Sequence, residues 1–119
     1  MDDDQLKQRS KAFAVRVVKM TEALPRTRTA EIVARQVIRS ATSVGANYRA
    51  ACRARSHAEF VAKLGIVEEE ADETLYWLEM IVETELLPEA RLAELMREAN
   101  ELTAIFTASG RTARRNRPT

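Results

Sequence analysis

The sequence contains very little of several residue types on which common folds and active sites depend. Its 119 residues include one cysteine, one histidine, three glycines and three prolines. The lone Cys52 excludes an internal disulfide, and the isolated glycines exclude a glycine-rich phosphate-binding loop. No window approaches the roughly 20 apolar residues of a membrane-spanning helix, so we expect no membrane association. The scarcity of cysteine suits a reducing compartment, and we expect a cytoplasmic location.

The same scarcity argues against catalysis. A zinc site needs three or four ligands, and a di-iron site in a helical bundle needs two Glu-x-x-His motifs. The chain has His57 as its one histidine and no Glu-x-x-His motif. Glu69, Glu70 and Glu73 could hold a divalent cation, although such clusters more often form a solvated or salt-bridged face. We assign no catalytic residue, metal or cofactor, and expect a protein that is not an enzyme.

Apolar residues recur at helical spacing along most of the chain. Pro25, the capping-box pattern of Ser56 and Glu59, and Pro88 divide the chain into four segments. These segments predict helices at about residues 5–24, 30–53, 57–84 and 88–108. Short connections between four amphipathic helices predict an all-α fold, an antiparallel up-down four-helix bundle formed by residues 1–110. Residues 111–119 have four arginines and no apolar anchor, so we predict a disordered basic tail.

The third helix carries more apolar surface than one bundle core requires. Its predicted core stripe comprises Phe60, Leu64, Val67, Ala71, Leu75, Leu78 and Val82. Ile66, Trp77 and Met80 fall on a second stripe, more than about 100° away on a helical wheel. Such a stripe is typical of a subunit interface, although it could instead lie under a loop or the chain ends. We predict a homo-oligomer with these three residues in its interface.

Charged residues are sorted by position along the chain. Residues 26–55 contain seven arginines and one acid, whereas residues 64–110 contain twelve acids and two arginines. On helical wheels the charges form a basic stripe on the second helix and an acidic stripe on the third. The basic stripe is Arg35, Arg39, Arg49 and Arg53, and the acidic stripe is Glu68, Asp72, Glu79 and Glu83.

The basic stripe supports two hypotheses from different functional classes. In the first, it binds phosphate groups of RNA or DNA, and the tail residues Arg111, Arg114, Arg115 and Arg117 add affinity. In the second, it pairs with the acidic stripe inside or between subunits of a protein-interaction scaffold that has no nucleic-acid role. Each exposed ion pair of that kind contributes only about 0 to 1 kcal/mol. The charge pattern alone leaves both hypotheses open.

Polar residues inside the apolar pattern are expected to have structural roles. The amide of Asn47 can form hydrogen bonds across a helix crossing and fix the register, with a ligand contact as the alternative. The hydroxyls of Ser40 and Ser43 can bond back to the preceding turn of their own helix. Ser56 and Glu59 are expected to cap the third helix reciprocally.

Three stretches of the sequence resemble one protein family. They are residues 39–51 (RSATSVGANYRAA), residues 55–60 (RSHAEF) and residues 70–78 (EADETLYWL). The chain is similar there to the four-helix-bundle family first recognised in open reading frames within intervening sequences of bacterial large-subunit ribosomal RNA genes. The resemblance extends over roughly residues 6–106.

The resemblance implies an antiparallel four-helix bundle that assembles as a ring-shaped homopentamer. The family also includes accessory proteins of diversity-generating retroelements, which bind nucleic acid and a reverse transcriptase through basic surfaces. Nucleic acid and a reverse transcriptase are therefore the partners that the resemblance implies.

Overall fold

The computed structural model describes residues 1–118 and folds them into four helices joined by short connections. The helices are α1 (Asp3–Thr21), α2 (Arg28–Cys52), α3 (His57–Glu83) and α4 (Glu89–Arg115). No strand occurs among residues 1–118. Consecutive helices pack side by side and α1 also contacts α4, which gives a rod of 53 × 21 × 21 Å. The predicted all-α four-helix bundle is confirmed.

Contacts between neighbouring helices show that they run antiparallel. Along α1, Asp3 contacts Tyr48 near the end of α2, whereas Ser10 lies beside Gly45. On the other side of the bundle, His57 at the start of α3 contacts Ala113 at the end of α4. The starts of α1 and α3 and the ends of α2 and α4 therefore share one end of the rod.

Side chains at the helix starts satisfy free backbone N–H groups. Asp2 and Gln5 form a complete capping box on α1, and the Thr27 hydroxyl accepts from the Ala30 N–H at 3.1 Å. Ser56 accepts from the Glu59 N–H at 3.1 Å, as expected. The Glu59 carboxylate, however, accepts from the Arg55 N–H at 3.2 Å, so the predicted reciprocal bond to Ser56 is replaced by one to the residue before it.

The core contains large side chains from all four helices. The largest fully buried apolar side chains are Phe13, Val17, Val37, Val44, Leu64, Val67, Leu78, Ile81, Leu92, Leu102 and Phe106. The predicted core stripe of α3 is partly correct, because Phe60, Leu75 and Val82 are only half-buried. Thr74 and Ile81 are fully buried instead, so the α3 face that meets the core is rotated from the predicted one. None of the helices in residues 1–118 is long and apolar enough to cross a bilayer.

A buried pair of hydroxyl groups joins α2 to α3. The Ser40 hydroxyl donates to the Val37 carbonyl at 3.3 Å, and the Thr74 hydroxyl shares its one proton between the Ser40 oxygen at 2.9 Å and the Glu70 carbonyl at 2.8 Å. Asn47 does not cross between helices as predicted, because its Nδ2 donates to the carbonyl and hydroxyl of Ser43 in α2 itself. The polar link between helices that was expected of Asn47 is therefore made by Ser40 and Thr74.

The fourth helix extends beyond its predicted end. Gly110 is buried inside α4, and the helix continues to Arg115, so the structure contradicts a disordered tail for residues 111–115. Ala113 is 7% exposed, and its carbonyl oxygen lies 2.7 Å from Nε2 of His57. The sequence offers one small apolar residue in this segment, which was too weak a signal to predict a further turn of core contact. Thr119, the last residue of the predicted tail, lies outside the described residues.

An ion pair fastens α1 to α4. Arg9 donates through Nε and Nη2 to both carboxylate oxygens of Glu98 at 2.7 and 2.6 Å, and Nη2 also reaches Glu101 at 2.8 Å. The side chain of Glu98 is 15% exposed. The hydrogen bonds from Arg9 hold the pKa of Glu98 below its ordinary value, against the opposing effect of burial.

This pair predicts a pH dependence of stability. A carboxyl whose pKa is lower in the folded chain stabilises the fold above its unfolded pKa of about 4.3, and that stabilisation is lost as pH falls through the folded value. The unfolding free energy should therefore fall more steeply below about pH 4.3 in the wild type than in Arg9→Met. At pH 7 we expect Arg9→Met to cost roughly 1 kcal/mol in urea denaturation. Arg97→Met, which removes an arginine without an ion pair in residues 1–118, should keep the wild-type slope; equal slopes for all three proteins would contradict the role of Arg9.

Candidate nucleic-acid interface

The predicted basic stripe of α2 is divided in the structure. Arg39 donates to Glu70 at 3.1 Å and also to Glu73, both on α3. At 1.5 Å per residue, Arg53 lies about 21 Å farther along α2 than Arg39 does. The predicted pairing between α2 and α3 is therefore correct for Arg39. The other three residues of the stripe make no ion pair within residues 1–118: Arg35, Arg49 and Arg53.

The acids that pair with Arg39 are not those of the predicted acidic stripe. Glu70 and Glu73 face α2, and Glu73 also accepts from Nε1 of Trp77 at 3.2 Å. Glu68, by contrast, accepts from the Thr107 hydroxyl at 2.9 Å and so faces α4. Of the three glutamates considered for a cation, Glu70 and Glu73 form a salt-bridged face. Within residues 1–118, no three histidine, cysteine or acidic residues stand close enough to hold a metal ion.

The antiparallel topology brings separate arginines together at one end of the rod. The end of α2 and its connection to α3 supply two, the last turns of α4 supply three, and Arg117 follows α4 directly. All six side chains are exposed. We call this surface the basic end and define it by Arg53, Arg55, Arg111, Arg114, Arg115 and Arg117.

The arginines of the basic end are available for an external anion. None forms an ion pair with an acid inside residues 1–118. The nearby acids Asp2, Asp3 and Asp4 line one depression on the α1 side, and Asp4 also lines a neighbouring depression with Arg53, without an ion pair between them. Exposed guanidinium groups bind phosphate oxygens in a planar, two-pronged geometry, and such contacts position a nucleic acid without reading its sequence.

Side-chain contacts join three helices behind the basic end. The Tyr48 ring packs against Phe106 at a centroid distance of 5.4 Å, and its hydroxyl lies 3.3 Å from Asp3. Burial raises the pKa of the Tyr48 hydroxyl well above its ordinary value. The protonated Tyr48 hydroxyl donates to Asp3. These contacts join the start of α1 to α2 and α4.

The predicted interface residues of α3 do not share one exposed face. Ile66 is 39% exposed, whereas Trp77 and Met80 are half-buried, and Trp77 packs against the core. Tyr76 is more exposed than any of them, at 53%, and meets the edge of Trp77 at a centroid distance of 5.2 Å. Sequence reasoning missed Tyr76 because it lay between the two predicted apolar stripes of α3.

Comparisons with known proteins agree on the fold. The profile of a family described as 23S rRNA-intervening sequence protein matches residues 2–108. The chain is also similar to a protein of unknown function from the S23 ribosomal protein family of Bacteroides thetaiotaomicron, known from a crystal structure. The two are 34% identical with a TM-score of 0.85, over 93% of this chain and 99% of that chain. No curated protein matches.

Proposed function

The chain belongs to the 23S rRNA-intervening sequence protein family, and from this membership and the position of its arginines we propose that it is a non-enzymatic, self-assembling protein that binds RNA or DNA. The observation that carries the proposal is the basic end, where six exposed arginines have no acidic partner in residues 1–118. The proposed site differs from the one that the sequence predicted, because Arg39 is engaged by α3 and Arg35 lies far from the end.

Self-assembly makes such a site effective. An exposed arginine binds a single phosphate weakly, but several sites on one assembly bind one strand with an avidity that exceeds any single contact. We propose the ring-shaped homopentamer that the family resemblance implies, with Ile66, Trp77 and Met80 near its subunit contacts. A five-fold ring would place five basic ends around one axis. The proposal includes a cytoplasmic location, which the lone cysteine favours.

Neutralising the basic end tests the nucleic-acid role. We expect Arg114→Gln with Arg115→Gln to weaken binding of a mixed-sequence single-stranded RNA and to lower the salt dependence of binding. Each lost phosphate contact should reduce the slope of log affinity against log salt by about 0.7. The matched control is Arg26→Gln with Arg28→Gln, which removes equal charge from exposed positions at the opposite end of the rod.

Fluorescence anisotropy at several salt concentrations provides the measurement. The control should bind RNA as the wild type does, because its arginines lie outside the basic end. Equal losses in both variants would show that only net charge matters, and unchanged affinity in Arg114→Gln with Arg115→Gln would remove the basic end from the interface.

A scaffold without nucleic acid is the alternative function. The ion pairs of Arg39 with Glu70 and Glu73 favour this alternative for Arg39, because these charges neutralise one another inside the subunit. Arg39 is then not available for a phosphate group. The family resemblance also extends the proposal to a retroelement accessory role with a reverse transcriptase as protein partner. Binding of RNA by the purified protein alone would favour the nucleic-acid role over the scaffold.

A further inference from the structure

An apolar groove runs between α1 and α2 on the outer surface of the bundle. It has a volume of about 510 Å³. Small residues of α2, Thr42, Gly45 and Ala46, form its floor, and Val15 and Val18 of α1 form its wall. The two valines are 46% and 36% exposed, so the wall is unfilled apolar surface in the single chain.

The rim of the groove is basic. Lys11 and Lys19 line it from α1 and Arg49 lines it from α2, against one acid, Glu22. Phosphate binding would use these cations but would leave the apolar floor and wall exposed. The groove therefore fits a helix face that carries both apolar and acidic side chains better than it fits a nucleic-acid backbone.

The outward face of α3 combines apolar and acidic side chains in this way. Ile66 and Tyr76 are its exposed apolar residues, and the exposed Glu69 and Asp72 lie between them in sequence. Glu69 and Asp72 have no ion-pair partner within residues 1–118. Ile66 and Tyr76 stand ten residues apart, or about 15 Å along the helix, and the α1 wall from Lys11 to Glu22 extends about 17 Å. The α3 face and the α1–α2 groove are therefore complementary in charge, in apolar character and in length.

We propose that the α1–α2 groove of one copy receives the outward face of α3 from a second copy. This inference rests on the self-assembly proposed above and names the two surfaces that join. Because the surfaces differ, the contact is head-to-tail, and every subunit offers one groove and one α3 face. Repeated contacts of this kind close into a ring when the rotation between subunits permits it. The basic end lies outside both surfaces and stays free.

Two complementary variants test the contact. The groove variant carries Val15→Glu and Ala46→Glu, which place negative charge where acidic residues would dock. The ridge variant carries Ile66→Lys and Tyr76→Lys, which place positive charge against the basic rim. All four positions are exposed in the single chain, so the folded subunit should tolerate these changes. Each variant alone should be a monomer of about 13.4 kDa by light scattering.

Mixing the two variants in equal amounts should restore one contact. The groove variant keeps an intact α3 face and the ridge variant keeps an intact groove, so the mixture should form species of at least twice the monomer mass. This rescue also shows that both variants are folded. Ile32→Glu is the control, because Ile32 is 51% exposed but belongs to neither surface, and it should keep the wild-type mass.

The outcomes separate this inference from the proposed function. A mixture that stays monomeric, or a variant that keeps the wild-type mass, would overturn the assignment of these two surfaces while leaving self-assembly intact. A wild type that is monomeric at all concentrations would contradict self-assembly itself, and the groove would then be open to an acidic helix of another protein. RNA binding is measured separately and depends on the basic end.

Discussion

Phe106→Ala should destabilise the fold by about 3–5 kcal/mol, the range expected for removing a fully buried phenylalanine. The Phe106 side chain is completely buried and packs on the ring of Tyr48 in the part of the core nearest the basic end. The surrounding helices can close only part of the resulting cavity, so lost burial and the remaining void both contribute. Chemical denaturation at a fixed protein concentration measures the change.

The control for this substitution is Phe60→Ala. Phe60 packs against the same core but is only half-buried at the start of α3, so its removal should cost clearly less. Since a typical domain is stable by 5–15 kcal/mol, Phe106→Ala should remove a large share of the total. Equal losses for the two variants would mean that the bundle end around Phe106 is more loosely packed than the structure shows.

Gly45→Gln and Gly65→Gln should have effects of opposite sign. A Cβ at Gly45 would lie 3.4 Å from the Ser10 hydroxyl and 3.6 Å from the Lys11 backbone nitrogen, so a longer side chain must push α1 away from α2. We expect a cost of about 1–3 kcal/mol from overpacking. A Cβ at Gly65 would meet nothing within 4 Å, so glutamine there should stabilise α3 by up to about 1 kcal/mol through its helix propensity.

Thermal and urea denaturation of the two variants provide the measurement. The same side chain replaces glycine within a helix in both cases, so the gain in helix propensity is the same for the two variants. The difference between their unfolding free energies therefore reports the difference in packing. A stabilised Gly45→Gln variant would contradict the close approach of α1 and α2. A destabilised Gly65→Gln variant would contradict the open surface assigned to that position.

Helical periodicity was sufficient to predict the number of helices and their approximate bounds. The apolar residues of a bundle recur with the period of the helix, and residues such as Thr27 and Ser56 mark helix starts with side chains that bind free N–H groups. The end of α4 could not be predicted in this way. Its last turns include the contact of Ala113 with His57, two residues that are 56 positions apart in sequence.

The candidate site was less predictable than the fold. The helical wheel of α2 placed Arg39 and Arg53 on one stripe. A helical wheel of a single helix cannot show which acids of α3 face α2. Glu70 and Glu73 therefore emerged as partners of Arg39 only once the helices were packed. The basic end likewise depends on topology, because Arg55 and Arg115 are distant in sequence and share one end only in an antiparallel bundle.

Multi-angle light scattering of the wild-type protein, with and without a mixed-sequence RNA at about 50 and about 200 mM salt, tests the central claim most directly. The account predicts an assembly of five times 13.4 kDa that takes up RNA at the lower salt concentration and releases it at the higher. A monomer would contradict the proposed assembly. An assembly that does not bind RNA at either salt concentration would contradict the nucleic-acid role of the basic end.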